Sequence, residues 1–150
     1  MEPVTLRPIT QENFNAVIQL KVRDDQAGFV ASNAYSLAEA GTFPGRTPLA
    51  VYAGETPVGF VMYCDWTKRG EYWIFRLMVA ADQQGKGYGR EAMRLLIERM
   101  REEFHCRSIF ISFEPDNAAA EGLYRSLGFL PTGEMVENET VYRLDFPEEG

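Results

Sequence analysis

Histidine occurs once in this sequence, at position 105, and cysteine only twice, at positions 64 and 106. Two cysteines make no disulfide framework. With a single imidazole beside them, Cys64 and Cys106 fall short of a zinc site, so no metal is expected. One histidine also argues against a Ser-His-Asp hydrolase. His105 follows a predicted helix, where the helix dipole favours a cation, so it reads as structural rather than catalytic. No run approaches the roughly 18 apolar residues of a membrane span. Met1 to Thr5 lacks the basic-then-apolar pattern of a signal peptide, so a cytoplasmic location with no membrane partner is expected. Basic residues are also scarce: 15 Lys and Arg stand against 22 Asp and Glu, a net charge of −7. Holding nucleic acid takes clustered cations, so nucleic acid is not an expected partner. An acidic surface favours cationic ligands. It also aids solubility, and composition does not separate the two.

The length of 150 residues, 45% apolar and 25% charged, suits one soluble domain spanning 1–150. Val4 to Pro8 predicts a strand. Thr10 can cap a helix carrying Phe14, Val17 and Ile18 at helical spacing. Ser36 and Glu39 have the spacing of a capping box opening a second helix that ends near Gly41. Leu49 to Ala53 and Val58 to Cys64 predict a hairpin turning at 54–57. After a polar turn at 67–70, Glu71 to Val79 reads as a strand buried on both faces. A glycine-rich loop follows, Gln83-Gln84-Gly85-Lys86-Gly87-Tyr88-Gly89. Ala92, Met93, Leu96, Ile97 and Met100 then mark one face of a helix running to about Phe104. Ser108 to Phe113 is a strand. Asn117 or Asp116 can cap a helix from Ala118 to Leu127, with Gly128 just past its end. Leu130 to Gly133 and Val136 to Asp145 complete the sheet, with Glu137-Asn138-Glu139 as a turn. The order β-α-α-β-β-β-α-β-α-β-β predicts an α/β fold, a mixed sheet with helices on both faces.

A strand feeding glycines and then a helix N-terminus is a physical means of holding phosphate. Glycine lets the backbone come close, and the N–H groups face the anion with the positive end of the helix dipole behind them. Lys86 and Arg90 add charge beside it. The spacing is not that of a P-loop. It departs from a Rossmann turn as well, although Glu114 lies roughly where a ribose-binding acid would sit. A tight turn without a ligand is the plain alternative.

The loop Gln84-Gly85-Lys86-Gly87-Tyr88-Gly89, followed one strand later by Asn117-x-x-Ala120-x-x-Leu123-Tyr124-x-x-x-Gly128-Phe129, resembles the GNAT family of N-acetyltransferases. The pairing is more specific than either motif alone, and the element order agrees over essentially the whole chain. The resemblance implies acetyl-CoA as co-substrate. It implies that the Leu77, Met78 and Val79 backbone bonds the pantetheine arm like an added strand. Gln84 to Gly89 would hold the pyrophosphate, with Arg90 beside it, and Asn117 would contact the cofactor arm. Tyr124 would protonate the departing thiolate as general acid. Many relatives are dimers, which implies a possible homodimer. Chemistry supports these roles. The attacking amine has a pKa of about 10.4 and must lose a proton, while a leaving thiol near 8.5 gains from a donor. A phenol at about 10 still carries that proton at neutral pH. A backbone N–H near Met78 can polarise the acetyl carbonyl. Taken alone, Tyr124 also reads as a core aromatic beside Leu123 and Leu127. The sequence departs from the family where some members carry a glutamate base on the strand before the loop, because Trp73 stands there. Glu71, Asp65 and Glu114 are the candidate bases, and each also reads as a solvated surface acid.

Residues 24–36 lie where the family places its acceptor-binding helices. With Gly59-Phe60-Val61-Met62-Tyr63, they resemble the bacterial spermine/spermidine (diamine) acetyltransferase subgroup. Asp24 and Asp25 can pair with ammonium groups. Phe29, Tyr35, Trp66 and Trp73 can flank a methylene chain or make cation–π contacts. The alternative is exposed helix charges and core aromatics. Three readings follow. One is a polyamine or diamine acetyltransferase, and another is an acetyltransferase for a peptide N-terminus, amino acid or aminoglycoside. The third is an acyl-CoA-binding regulatory domain without turnover.

Overall fold

Alternation along the strands sets the two faces of the sheet. In the strand Ser108–Phe113, Ile109, Ile111 and Phe113 are buried on one side, while Phe110 stacks on Trp73 from the other. The computed structural model describes residues 2–147. Its elements are β1 (Val4–Pro8), α1 (Phe14–Gln19), α2 (Asn33–Thr42), β2 (Arg46–Ala53), β3 (Thr56–Trp66), β4 (Glu71–Val79), α3 (Tyr88–Phe104), β5 (Ser108–Phe113), α4 (Ala118–Ser126), β6 (Leu130–Val136) and β7 (Glu139–Asp145). Short 3-10 turns sit at Asp24–Gln26 and Ala81–Gln83. The seven strands form one sheet in the order β1-β2-β3-β4-β5-β7-β6. Neighbours are antiparallel except β4 and β5, which run parallel. This is the expected element order, in a single α/β domain.

Helices α3 and α4 cover one face, where Val61 and Ile74 of the sheet meet Leu96 of α3 and Phe129 in one core. Helices α1 and α2 cover the other, over Phe60, Met62 and Met78. The buried residues of α3 are Tyr88, Ala92, Met93, Leu96 and Met100, which repeats the helical spacing of the sequence. Leu96 is fully enclosed, so Leu96→Ala is expected to cost about 2–5 kcal/mol.

Several expectations are corrected. Helix α2 begins at Asn33, three residues before Ser36, and is capped by Ser32, whose hydroxyl accepts the Tyr35 N–H at 3.1 Å. Ser36 lies inside the helix and donates its own hydroxyl to the Ser32 carbonyl at 3.0 Å. Glu39 does not close a capping box, because its carboxylate pairs with Arg46 at 3.5 Å and Arg76 at 3.3 Å. Thr10 does cap the turn that leads into α1, its hydroxyl accepting the Asn13 N–H at 3.3 Å while Asn13 Oδ1 accepts the Thr10 N–H at 2.8 Å, but Phe14 is 44% exposed, so Val17 alone of that set is buried. Strand β2 starts before Pro48 because β1 ends at Pro8, opposite Leu49. Pro48 therefore has an open edge on that side, where its missing N–H costs nothing. Strand β4 is not buried on both faces throughout. Phe75, Arg76, Leu77 and Val79 are half-buried, because β5 meets β4 only at Trp73–Phe110 and Ile74–Ile111 and then diverges.

A bulge marks the same place. Met62 pairs with Arg76 and Tyr63 with Ile74, so Phe75 is an extra residue on β4. The bulge puts Phe75 and Arg76 on the same face, toward α2.

Candidate active site

Where β4 and β5 part, a cleft of about 720 Å³ runs through the sheet. It is open to both faces. Asn117, Leu123 and Tyr124 border it from the α4 side. From the other side come the segment after α1, Arg76 and the β6–β7 hairpin. The β5-facing backbone groups of Phe75 to Met78 have no strand partner among the described residues.

One part of the lining is the glycine loop. Gly85 and Gly87 hold φ of +78° and +86°, a left-handed conformation that glycine adopts without strain. Gly87 is the N-cap of the 17-residue α3 and carries no capping side chain. The first-turn amides therefore keep their donors for a ligand. Gln84 serves as a strut, its amide donating to the Val79 carbonyl at 2.9 Å and to Gln26 Oε1 at 2.8 Å. Lys86 bonds Gln83 at 3.1 Å and Arg90 bonds Ser126, so both cations flank the loop.

Tyr124 also borders the cleft, 7% exposed, with its ring against Phe113 and Phe129. Its hydroxyl makes no hydrogen bond to any described residue. Burial, and secondarily the charge of Glu139, pushes the phenol well above the usual tyrosine range. The proton stays on oxygen at neutral pH. Asn117 caps α4 through Oδ1, which accepts the Ala120 N–H at 3.2 Å. Its amide nitrogen is left for the cleft.

Another part of the lining is acidic. Glu114, Glu137 and Glu139 all border the cleft. Glu137 and Asn138 hold φ of +50° and +67°, the tight turn that a two-residue hairpin loop requires. That turn sets Glu137 and Glu139 on the cleft side of the sheet's end. Ser112 donates its hydroxyl to Glu139 at 2.7 Å. Arg76 is spoken for by Glu39 and the Phe75 carbonyl, but its buried Nε has no partner. Among the described residues, no group of three His, Cys, Asp or Glu could hold a metal ion.

Most of the expected donor-side residues gather here: Leu77 to Val79, Gln84, Gly85, Gly87, Tyr88, Gly89, Asn117 and Tyr124 all border the cleft. The acceptor side is different. Phe29 and Glu114 border the cleft, while Asp24 and Asp25 stand exposed on a turn outside its wall, Asp25 paired with Arg23 at 3.3 Å. Tyr35 is 61% exposed on α2. Trp73 is 2% exposed, packed between Phe110 and Trp66. Glu71, at the opposite end of β4, accepts Arg69 at 2.7 Å and the Trp73 indole at 3.0 Å. Asp65 also lies outside the cleft wall. Sequence reasoning did not single out Gln26, Arg76, Ser112, Glu137 or Glu139. One usable signal was Ser112, a polar residue inside an apolar strand. Another was a turn whose flanking residues are both glutamate.

Residues 12–129 match the profile of the Acetyltransferase (GNAT) family. Over 141 residues, covering 90% of this chain and 93% of the relative, the chain is 28% identical to the spermine/spermidine N(1)-acetyltransferase of Bacillus subtilis (strain 168). Two solved structures share the fold. An aminoglycoside acetyltransferase in complex with coenzyme A superposes with a TM-score of 0.79 at 19% identity, covering 95% of each chain. A spermidine N-acetyltransferase from Vibrio cholerae, with CoA and spermine, gives 0.73 at 17%, covering 93% of this chain and 92% of that one.

Proposed function

The chain belongs to the GNAT family of acetyltransferases, and on that footing we propose that it acetylates a primary amine of a small cationic acceptor, a polyamine or diamine, by direct attack in a ternary complex. It is an acetyl-CoA-dependent N-acetyltransferase, as the family and its relatives establish. The observation that carries the acceptor reading is the polarity of the cleft. Part of its lining is backbone amides, flanked by Lys86 and Arg90, and another part is Glu114, Glu137 and Glu139. A diphosphate suits the first part and ammonium groups the second.

The residues present fit acetyl-CoA. The unpartnered edge of β4 offers hydrogen bonds to an extended amide-bearing arm, and the Gly85–Gly89 amides offer them to phosphate oxygens. The Met78 N–H would polarise the acetyl carbonyl, which becomes more negative as the amine adds. Tyr124, kept protonated by burial, would give its proton to the departing sulfur.

A second reading rests on Arg76. It borders the cleft with an unpartnered Nε and so favours an acceptor that carries a carboxylate, such as an amino acid. Thiol release from acetyl-CoA across an amine panel, with wild type and Tyr124→Phe, separates the two. Saturable turnover with spermidine and none with peptides or amino acids supports the first. Turnover confined to amino acids selects the second. Tyr124→Phe is expected to lower kcat by about 10²-fold or more.

A further inference from the structure

Amine attack on a thioester needs a base beside the arriving nitrogen and an acid beside the departing sulfur. Nitrogen adds to one face of the planar carbonyl and sulfur leaves from the tetrahedral carbon so formed, so the two proton positions are separate. The strand register assigns the sides. Phe113 belongs to the core under α3 and α4 and packs against Tyr124. Ser112, its neighbour on β5, therefore points to the opposite face, where Phe110 and Val141 lie. Ser112 pairs with Val141 and Phe113 with Thr140, so Glu139, next along β7, stands at the end of that same opposite face. Tyr124 and Glu139 thus enter one cleft from the two faces of the sheet.

We propose that Glu139, held by the Ser112 hydroxyl, is the general base that takes the proton from the acceptor's ammonium. This rests on the acetyltransferase reading and fills the role left open where Trp73 stands on β4. Ser112 occupies Oε1 at 2.7 Å, which leaves Oε2 for the ammonium. The charge balance closes. The ammonium gives one proton to Glu139, and the freed lone pair forms the C–N bond to the acetyl carbon. The C–S bond then breaks, and sulfur takes the Tyr124 proton. The new amide nitrogen sheds its second proton. Of the two protons lost by nitrogen, one restores Tyr124 and the other reaches solvent from Glu139. Glu114 and Glu137 border the same cleft, but no described side chain donates a hydrogen bond to fix them. They suit the acceptor's other ammonium groups.

The test compares wild type, Glu139→Gln, Glu139→Asp and Ser112→Ala in steady-state kinetics with spermidine. CoA affinity by calorimetry serves as the check that each variant folds. A wild type that releases no thiol with any amine would remove the acetyltransferase reading itself. Given a turning-over wild type, Glu139→Gln is expected to lose about 10²–10⁴-fold in kcat with KM for spermidine and CoA affinity held within a few-fold. Glu139→Asp should recover part of the loss, and Ser112→Ala should lose about tenfold. Unchanged kcat in Glu139→Gln overturns the proposal. A rise in KM alone also overturns it, because Glu139 would then be a charge anchor and not a base.

Discussion

The donor and acceptor parts of the cleft are built from different materials. The donor end is main chain: glycines in left-handed conformation, the open start of α3 and the unpaired edge of β4. One contiguous stretch of sequence, from β4 to α3, makes nearly all of it. The acceptor end is side chains from four separated segments, namely the stretch after α1, β4, the end of β5 and the β6–β7 hairpin. A ligand shared by many enzymes can be gripped by groups that every residue carries. A ligand particular to one enzyme needs side chains, which vary without disturbing the frame.

If the donor end is main chain, only changes to backbone conformation should break it. A Cβ at Gly85 meets nothing within 4 Å, so space is not what excludes a side chain there. The φ of +78° is. Valine at both Gly85 and Gly87 is expected to weaken CoA binding about 100-fold, since each left-handed position costs roughly 1–2 kcal/mol. Calorimetry with CoA measures it. Full affinity in the double variant would mean that side chains hold the phosphates.

The same contrast explains what the sequence disclosed. The glycine loop and the Asn117–Phe129 stretch were legible because their spacing is fixed by backbone geometry. The long helix α3 was legible because its buried face follows one period. The acceptor end was not. Glu139 reaches the cleft only through the pairing of β5 with β7, a contact between distant segments that no local pattern records. Asp24 and Asp25, beside the correct region, proved to be solvated turn residues, while their neighbour Gln26 meets Gln84. Trp73 stands where some relatives carry a glutamate, and it is core, filling space between Phe110 and Trp66. Four-residue ambiguity at the start of α2 arose because Ser32 and Ser36 both offer caps, and only packing chooses between them.

A smaller effect probes the frame that the donor end shares with the core. Gly59 pairs with Val79 across β3 and β4, and a Cβ there would collide with the Met78 carbonyl oxygen. Gly59→Ala is expected to destabilise the fold on the order of 1–3 kcal/mol, read as a lowered Tm, and to weaken CoA binding along with it. Loss of stability with CoA affinity intact would separate the β4 edge from the donor site. At the acceptor end, Glu137 is exposed, so its charge is screened. Glu137→Gln should raise KM for spermidine only about threefold, fading as salt increases, with CoA affinity unchanged. An equal loss for CoA would blur the division between the two ends.

The smallest expected effect is none at all, and it concerns the residue between the ends. Tyr124 has its pKa raised, by burial first and by Glu139 second. A raised pKa means that the folded state holds the proton more tightly than the unfolded chain, whose phenol titrates near 10.0. Its contribution to stability is therefore whole below pH 10 and declines only above it. The acid needed at the sulfur is likewise fully present across that range. Wild type and Tyr124→Phe should show superimposable tyrosinate absorbance up to pH 10, and kcat should show no alkaline fall below that pH. A tyrosinate signal that appears below pH 10 in wild type and vanishes in Tyr124→Phe would show a phenol in contact with bulk water. A phenol so exposed would not be enclosed with the thioester between two chemically distinct ends.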